Sequence, residues 1–303
     1  MADAAFDPLA SARPGASGRV AGARAMWREA NAIQKAAFVV AVLLLAAAAL
    51  APLIAPHDPV AQTLIARLRP PVGFERFKEG HLLGTDELGR DVLSRVLWGL
   101  RLTLALAFAG AIIGLLLGGV LGLLSGMAGG VTDDLVMGAV DAQIAIPFTL
   151  VALLILAVFG SSLQVMVIVL GLYGWEQYAR IVRGEVRKLM RMPFVEAAVA
   201  AGASRPRIAF RHLLPNIVSP LVVQFTLSLS NIVLQESTLS FLGMGVQPPT
   251  ATLGSMVGIG RDYMPTAPWI VIFPALAILL LTFAVQILGD WLRDRADVRL
   301  RSR

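Results

Sequence analysis

The sequence predicts an all-α integral membrane protein of about six transmembrane helices, with a helix-turn-helix loop on the cytoplasmic side. Three observations predict it. Of 303 residues, 57% are hydrophobic and only 15% charged, whereas a soluble domain carries about 25% charge. Apolar stretches of roughly 20 residues, the length that crosses the hydrocarbon core as a helix, recur about six times. Basic residues gather in blocks that an even number of crossings places in one compartment, the cytoplasm. The net charge of +6 reads as this one-sided distribution, so no nucleic-acid partner is expected. The chain has no cysteine, which excludes disulfides and thiolate metal sites.

In chain order, residues 1–35 form a basic arm (Arg13, Arg19, Arg24, Arg28, Lys35) rich in Ala, Gly and Ser, expected to be disordered. The first apolar run follows, at about 36–55. A cleaved signal peptide is the competing reading. The arm is long for a charged leader, and Pro52 stands just past the small residues that a cleavage site needs; a retained anchor is favoured. Residues 56–101 are placed outside, although they hold seven basic side chains. Their six acids (Asp58, Glu75, Glu79, Asp86, Glu87, Asp91) do little to relieve that tension, because acids weigh little in setting topology. His57, His81 and His212 are scattered without ligand spacing, so no metal site is expected.

The remaining spans are read at about 102–125, 135–159, 162–182, 216–242 and 268–289, within a transmembrane domain over 36–290. In the second, Gly118 and Gly122 lie four apart on one helix face, where a neighbouring backbone can approach closely. Pro147 kinks the third. The tail 291–303 is basic (Arg293, Arg295, Arg299, Arg301, Arg303).

Between spans four and five lies a polar, ordered-looking block, 193–216. Pro193 suits a first helical turn. Phe194 to Ala201 is Ala-rich and strongly helical. Gly202 permits a sharp turn, Ser204 is a good N-cap, and a second helix carrying Ile208, Phe210, Leu213 and Leu214 ends near Pro215. Arg205, Arg207, Arg211 and His212 make that helix basic. Two uses fit: lying on anionic lipid headgroups, or inserting a small-faced elbow into a cleft of another protein.

Polar residues inside spans are costly and often functional. Candidates for a translocation path are Asp141 and Gln143 in span three, and Asn231, Gln235 and Glu236 in span five, the last three on roughly one face. Glu176 and Gln177 in span four are further polar positions. No lysine follows a glycine, so the chain lacks the phosphate-binding loop of a conventional ATPase. It also lacks a nucleophile–base set, and enzymatic activity is not expected.

Glu196-Ala197-Ala198, three residues, Gly202, nine residues, His212, then Leu214-Pro215 resembles the EAA loop of ABC importer permeases. Arg211-His212-Leu213-Leu214-Pro215-Asn216 is similar to the peptide-transporter branch. "GTDELGRDVLSRVLWGLRLTL" (84–104) and "ESTLSFLGMGVQPP" (236–249) look like segments of C-type subunits of dipeptide, oligopeptide and nickel importers. Asp133, Asp141 and Pro147 fit that group's third-span pattern. Gly138 stands where an Arg is often found, and Leu253 where a Trp is common.

The resemblance implies a bacterial inner-membrane permease with both termini cytoplasmic. Its partners would be a B-type permease, two ABC ATPases and an extracytoplasmic solute-binding protein, within membrane lipid. No cofactor is expected on this chain; ATP and Mg would be used by the ATPases. Glu196, Ala197, Ala198, Gly202, Arg205, Arg207, Arg211, His212 and Pro215 would carry the coupling to them. Relatives of this type carry dipeptides, oligopeptides, nickel complexes or glutathione. An ion-gradient carrier using Asp141 or Glu176 is the alternative, and it gives the elbow no task.

Overall fold

The computed structural model describes residues 27–296, so residues 1–26 of the expected disordered arm and 297–303 of the tail lie outside the described residues. Among the described residues every extended element is a helix. Helix α1 (Ala32–Ile54) starts four residues earlier than the apolar run, because Asn31 and Gln34 form a reciprocal capping box that satisfies two backbone N–H groups. Helix α2 (Val92–Ala128) has 37 residues and is about 55 Å long, well beyond the hydrocarbon thickness. Asp91 caps its N-terminus, and Gly129 at φ +64° ends it.

The next two predicted spans break. Helices α3 (Gly130–Ala145) and α4 (Phe148–Phe159) meet at an 87° bend, where Pro147 cannot donate to the helical ladder. Residues expected as one span at 162–182 form α5 (Leu163–Gly171) and α6 (Trp175–Met190), separated by a turn in which Gly174 has φ +84°. Among the described residues, four helices are long and apolar enough to cross a membrane, and five if the bent pair counts as one span. Next come α7 (Pro193–Ala200), α8 (Arg205–Ile208), a π turn (Ala209–Leu213) and α9 (Leu214–Phe241). The short α10 (Leu253–Gly260) and the closing α11 (Trp269–Ala296) complete the order. The last turns of α11 take in Trp291 to Ala296, so the expected tail begins as helix.

The core forms around α2. Gly118 and Gly122 pack against α6 as their spacing predicts. A Cβ on Gly118 would stand 2.1 Å from the carbonyl oxygen of Trp175, and one on Gly122 2.5 Å from that of Ala179. Gly119, one residue along, faces open space, as expected of a position about 100° around the helix. Leu100, Leu104, Ala107 and Ala111 of α2 share the main buried cluster with Met166, Val169 and Leu170 of α5, Ile232 of α9 and Leu281 of α11. Against α11, α1 buries Ala37 and Ala41 around Ala284, small residues that let the two helices approach.

Each end of α2 is tied by charge. At its start, Arg90 Nε donates to Asp86 Oδ2 at 2.6 Å, and Arg95 Nε lies 3.3 Å from the same oxygen. These three side chains are buried, where charges persist only when paired. Thr85 carbonyl accepts from the Trp269 indole at 3.0 Å, fastening this segment to α11. Gly89, at φ +74°, would place a Cβ 2.0 Å from the Thr63 carbonyl oxygen, so only glycine fits there. At the other end, Asp133 in the first turn of α3 accepts from Arg183 Nη2 at 2.7 Å and Arg187 Nη2 at 2.6 Å, both on α6, and from Ser125 of α2.

Two outcomes follow. Gly122→Leu puts a side chain into the Ala179 backbone, and overpacking of this kind costs about 1–3 kcal/mol or more. The purified variant melts lower than wild type, whereas Gly119→Leu, facing open space, melts as wild type does. Asp133→Asn leaves Arg183 and Arg187 without their shared anion; because both are partly solvated, the loss is about 1 kcal/mol, read as a lowered melting temperature that high salt diminishes.

Candidate functional site

The block 193–216 folds as an elbow. Pro193 occupies the first turn of α7, where its missing N–H costs nothing. Glu196 lies in the same turn, favourably placed against the helix dipole. The helix ends in a Schellman pattern: Gly202 N–H donates to Val199 carbonyl at 2.9 Å, Ala203 N–H to Ala198 carbonyl at 3.0 Å, and Gly202 has φ +78°. A glycine at this position carries the left-handed turn without a Cβ penalty. Ser204 holds the N-cap position of α8, but its side chain makes no capping bond, so the backbone geometry alone starts that helix.

The second arm does not end near Pro215, as the sequence suggests. It runs through the π turn into α9, with Leu214 N–H donating to Ala209 carbonyl. Pro215 cannot donate to the Arg211 carbonyl, and the widened turn beside it absorbs that break without stopping the helix. The elbow is therefore the direct N-terminal extension of a membrane-spanning helix.

Its two faces differ in kind. Val195, Ile208, Leu213 and Ile217 are buried in one cluster with Val182, Val186 and Leu189 of α6, against Leu123 and Met127 of α2. Burying side chains of this size removes about 1.5–3 kcal/mol of apolar exposure each, which holds the elbow against the bundle. The motif residues lie on the other face. Glu196, Ala197, Gly202, Arg205, Arg207, Arg211 and Pro215 are exposed, and Ala198 and His212 are half-buried. His212 rests 6.4 Å from the Phe194 ring, bridging the two arms.

The translocation candidates do not form one surface. Asp141 is exposed and pairs with Arg180 of α6 at 2.6 Å. Gln143 donates to the Leu172 carbonyl at 3.4 Å, in the turn between α5 and α6. Gln235 donates to Thr149 of α4 at 3.3 Å, and Asn231 is half-buried. Glu236 is 1% exposed and accepts from Ser240 at 2.7 Å. It sits against α10, where a Cβ on Gly254 would lie 3.2 Å from its carboxylate. The single polar face expected for 231, 235 and 236 is thus corrected: adjacent residues on a helix point about 100° apart, and Gln235 and Glu236 meet different neighbours. A further polar link joins α9 to α6, where Gln224 donates to Gln177 at 2.7 Å.

Two features lay beyond sequence reasoning. The Asp133–Arg183–Arg187 node joins residues about 50 apart in sequence, and the arginines read there only as basic bias. The scattered histidines are not scattered in space: the His57 and His81 rings stack at 4.6 Å, both beside Asp91. Neither has a local sequence signal, because loop closure brings their members together.

Known proteins place the chain. Residues 118–298 match the family described as "Binding-protein-dependent transport system inner membrane component". The chain is 40% identical to the Di/tripeptide transport system permease protein DppC of Pseudomonas aeruginosa (strain UCBPP-PA14), over 86% of each chain. It is 42% identical to the Dipeptide transport system permease protein DppC of Escherichia coli (strain K12), over 90% of this chain and 91% of the other. The fold is similar to a chain of the inward-facing MetNI methionine ABC transporter, with a TM-score of 0.51 at 22% identity, over 67% of this chain and 96% of that one. The chain belongs to the binding-protein-dependent transport system inner membrane component family: it is a multi-pass inner-membrane ABC importer permease, grouped with the relatives named as dipeptide permeases.

Proposed function

We propose that this permease carries short peptides across the bacterial inner membrane, and that the elbow at 193–216 transmits the work of ATP hydrolysis from partner ATPases. The peptide class rests on the relatives, whose names specify di/tripeptide and dipeptide transport. Nickel or glutathione stays a narrower alternative within the same machinery. Family membership speaks against the ion-gradient carrier, and Asp141, one of its two candidates beside Glu176, is paired with Arg180.

One observation carries the coupling assignment. The elbow turns Glu196, Ala197, Gly202 and three arginines outward, while Val195, Ile208, Leu213 and Ile217 fasten it to α6 and α2. An outward small-residue face on a rigid mount suits the groove of another protein, and its fusion to α9 gives a push on the elbow a direct route into the membrane. Ala197 and Ala198 allow close approach; Arg205, Arg207 and Arg211 meet acidic groups on the partner; His212 and Pro215 shape the junction with α9. The assembly is one such chain, a B-type permease, two ATPases holding ATP and Mg, and an extracytoplasmic binding protein. Both termini are cytoplasmic, with the elbow on the same side. Asp141, Gln143, Asn231, Gln235 and Glu236 remain candidates for the path only through rearrangement, given their separate partners.

Ala197→Trp tests the reading with little risk to the fold, because Ala197 is exposed on a helix and tryptophan costs under about 1 kcal/mol there. The reconstituted importer carrying it inserts normally and loses peptide uptake at least tenfold, with ATP hydrolysis no longer stimulated by loaded binding protein. Gly202→Trp also loses uptake; its side chain would enter open space, but the left-handed φ of +78° adds backbone strain, so Ala197→Trp is the cleaner variant. Wild-type uptake in both variants would refute the coupling role.

A further inference from the structure

We propose that His57, His81 and Asp91 form a binding site for a divalent transition ion of the zinc type, at the end of α2 opposite the elbow. His81 Nδ1 lies 3.0 Å from Asp91 Oδ1, and His57 Nδ1 lies 3.9 Å from the same oxygen. One ligand atom from each residue falls within 4.8 Å of the others. Zinc bound by imidazole nitrogen and carboxylate oxygen at about 2.0–2.2 Å holds neighbouring ligand atoms roughly 3–3.5 Å apart. The observed spacing brackets that value, so an ion needs only a small movement of His57, the most exposed of the three.

The surroundings fit a built site. Asp91 uses its other oxygen to accept from Ser94 N–H at 2.8 Å, which caps α2 and fixes the carboxylate plane. Ser94 Oγ accepts the His57 backbone N–H at 3.0 Å, so the same residue orients two of the three ligands. Outer-shell support of this kind holds first ligands in place. Two imidazoles converge on one carboxylate oxygen, yet only His81 is within hydrogen-bonding distance of it. Imidazole and carboxylate together suit zinc and its neighbours better than calcium or magnesium, which favour all-oxygen shells. The nearby cations Arg90 and Arg95 face Asp86 and not Asp91. Three protein ligands leave a fourth position. His57, alone of the three, lines a cavity of about 870 Å³ with Asp58, Trp98, Arg101 and Pro249.

The ion would clamp three pieces of chain: the exit of α1, the loop before Gly84, and the N-cap of α2. The assignment is independent of the peptide and coupling readings. Its test uses the full chain, purified in detergent without a histidine tag, stripped by chelator and titrated with Zn²⁺ alone. One equivalent binds and raises the melting temperature, and Co²⁺ in its place gives the visible absorption of a nitrogen- and oxygen-ligated ion. His57→Ala and His57→Gln, both at an exposed position, weaken binding about tenfold or more and abolish the melting shift. No saturable equivalent, equal binding by both variants, or the same melting shift from Mg²⁺ would each overturn the site and leave His81–Asp91 a simple hydrogen bond.

Discussion

The close approach of α2 to α6 is the constraint on which the rest of the molecule depends. Lipid tails give apolar helices no solvent-driven reason to associate, so packing and polar contacts must hold them. Gly118 and Gly122 let the α6 backbone come within the space a methyl group would need. That contact seats α6, and α6 in turn carries Arg180, Arg183 and Arg187 to their partners on α3. It also presents Val182, Val186 and Leu189 as the bed on which the elbow lies.

From that contact the chain builds two differently organised ends on one long helix. At one end, the elbow is held by apolar burial and shows its polar and small residues outward. At the other, the segment before α2 is held by buried charge pairs and by the Trp269 indole of α11, which donates to the Thr85 carbonyl at 3.0 Å, while α10 donates Leu253 N–H to Thr103 of α2 itself at 3.1 Å. The first arrangement suits a surface that engages a partner. The second suits a fixed frame, since breaking a buried pair leaves an uncompensated charge. Helix α2 joins the two as a single uninterrupted element.

The breaks in the helices are as informative as the helices. The 87° bend at Pro147 and the turn at Gly174 convert two expected spans into four shorter helices. The π turn at 209–213 does the reverse, letting a proline sit within what remains one continuous element. Proline and glycine thus mark where the backbone ladder is disturbed, while the surrounding packing decides whether the outcome is a corner or a continuation.

What the sequence determined by itself was local or compositional. Hydropathy set the membrane class, Gly118 and Gly122 announced a close helix contact, Gly202 announced the bend, and Glu196-Ala197-Ala198 with Leu214-Pro215 pointed to the family. Each signal is read from composition or from one short contiguous stretch of chain, where period and residue type have direct geometric meaning. The tertiary structure alone decided the rest. It separated Gln235 from Glu236 by giving them different neighbours, gathered Asp133 with Arg183 and Arg187, and stacked His57 on His81 beside Asp91. Those partners are joined by folding across tens of residues, and no periodicity records which side chains a closed loop will bring face to face.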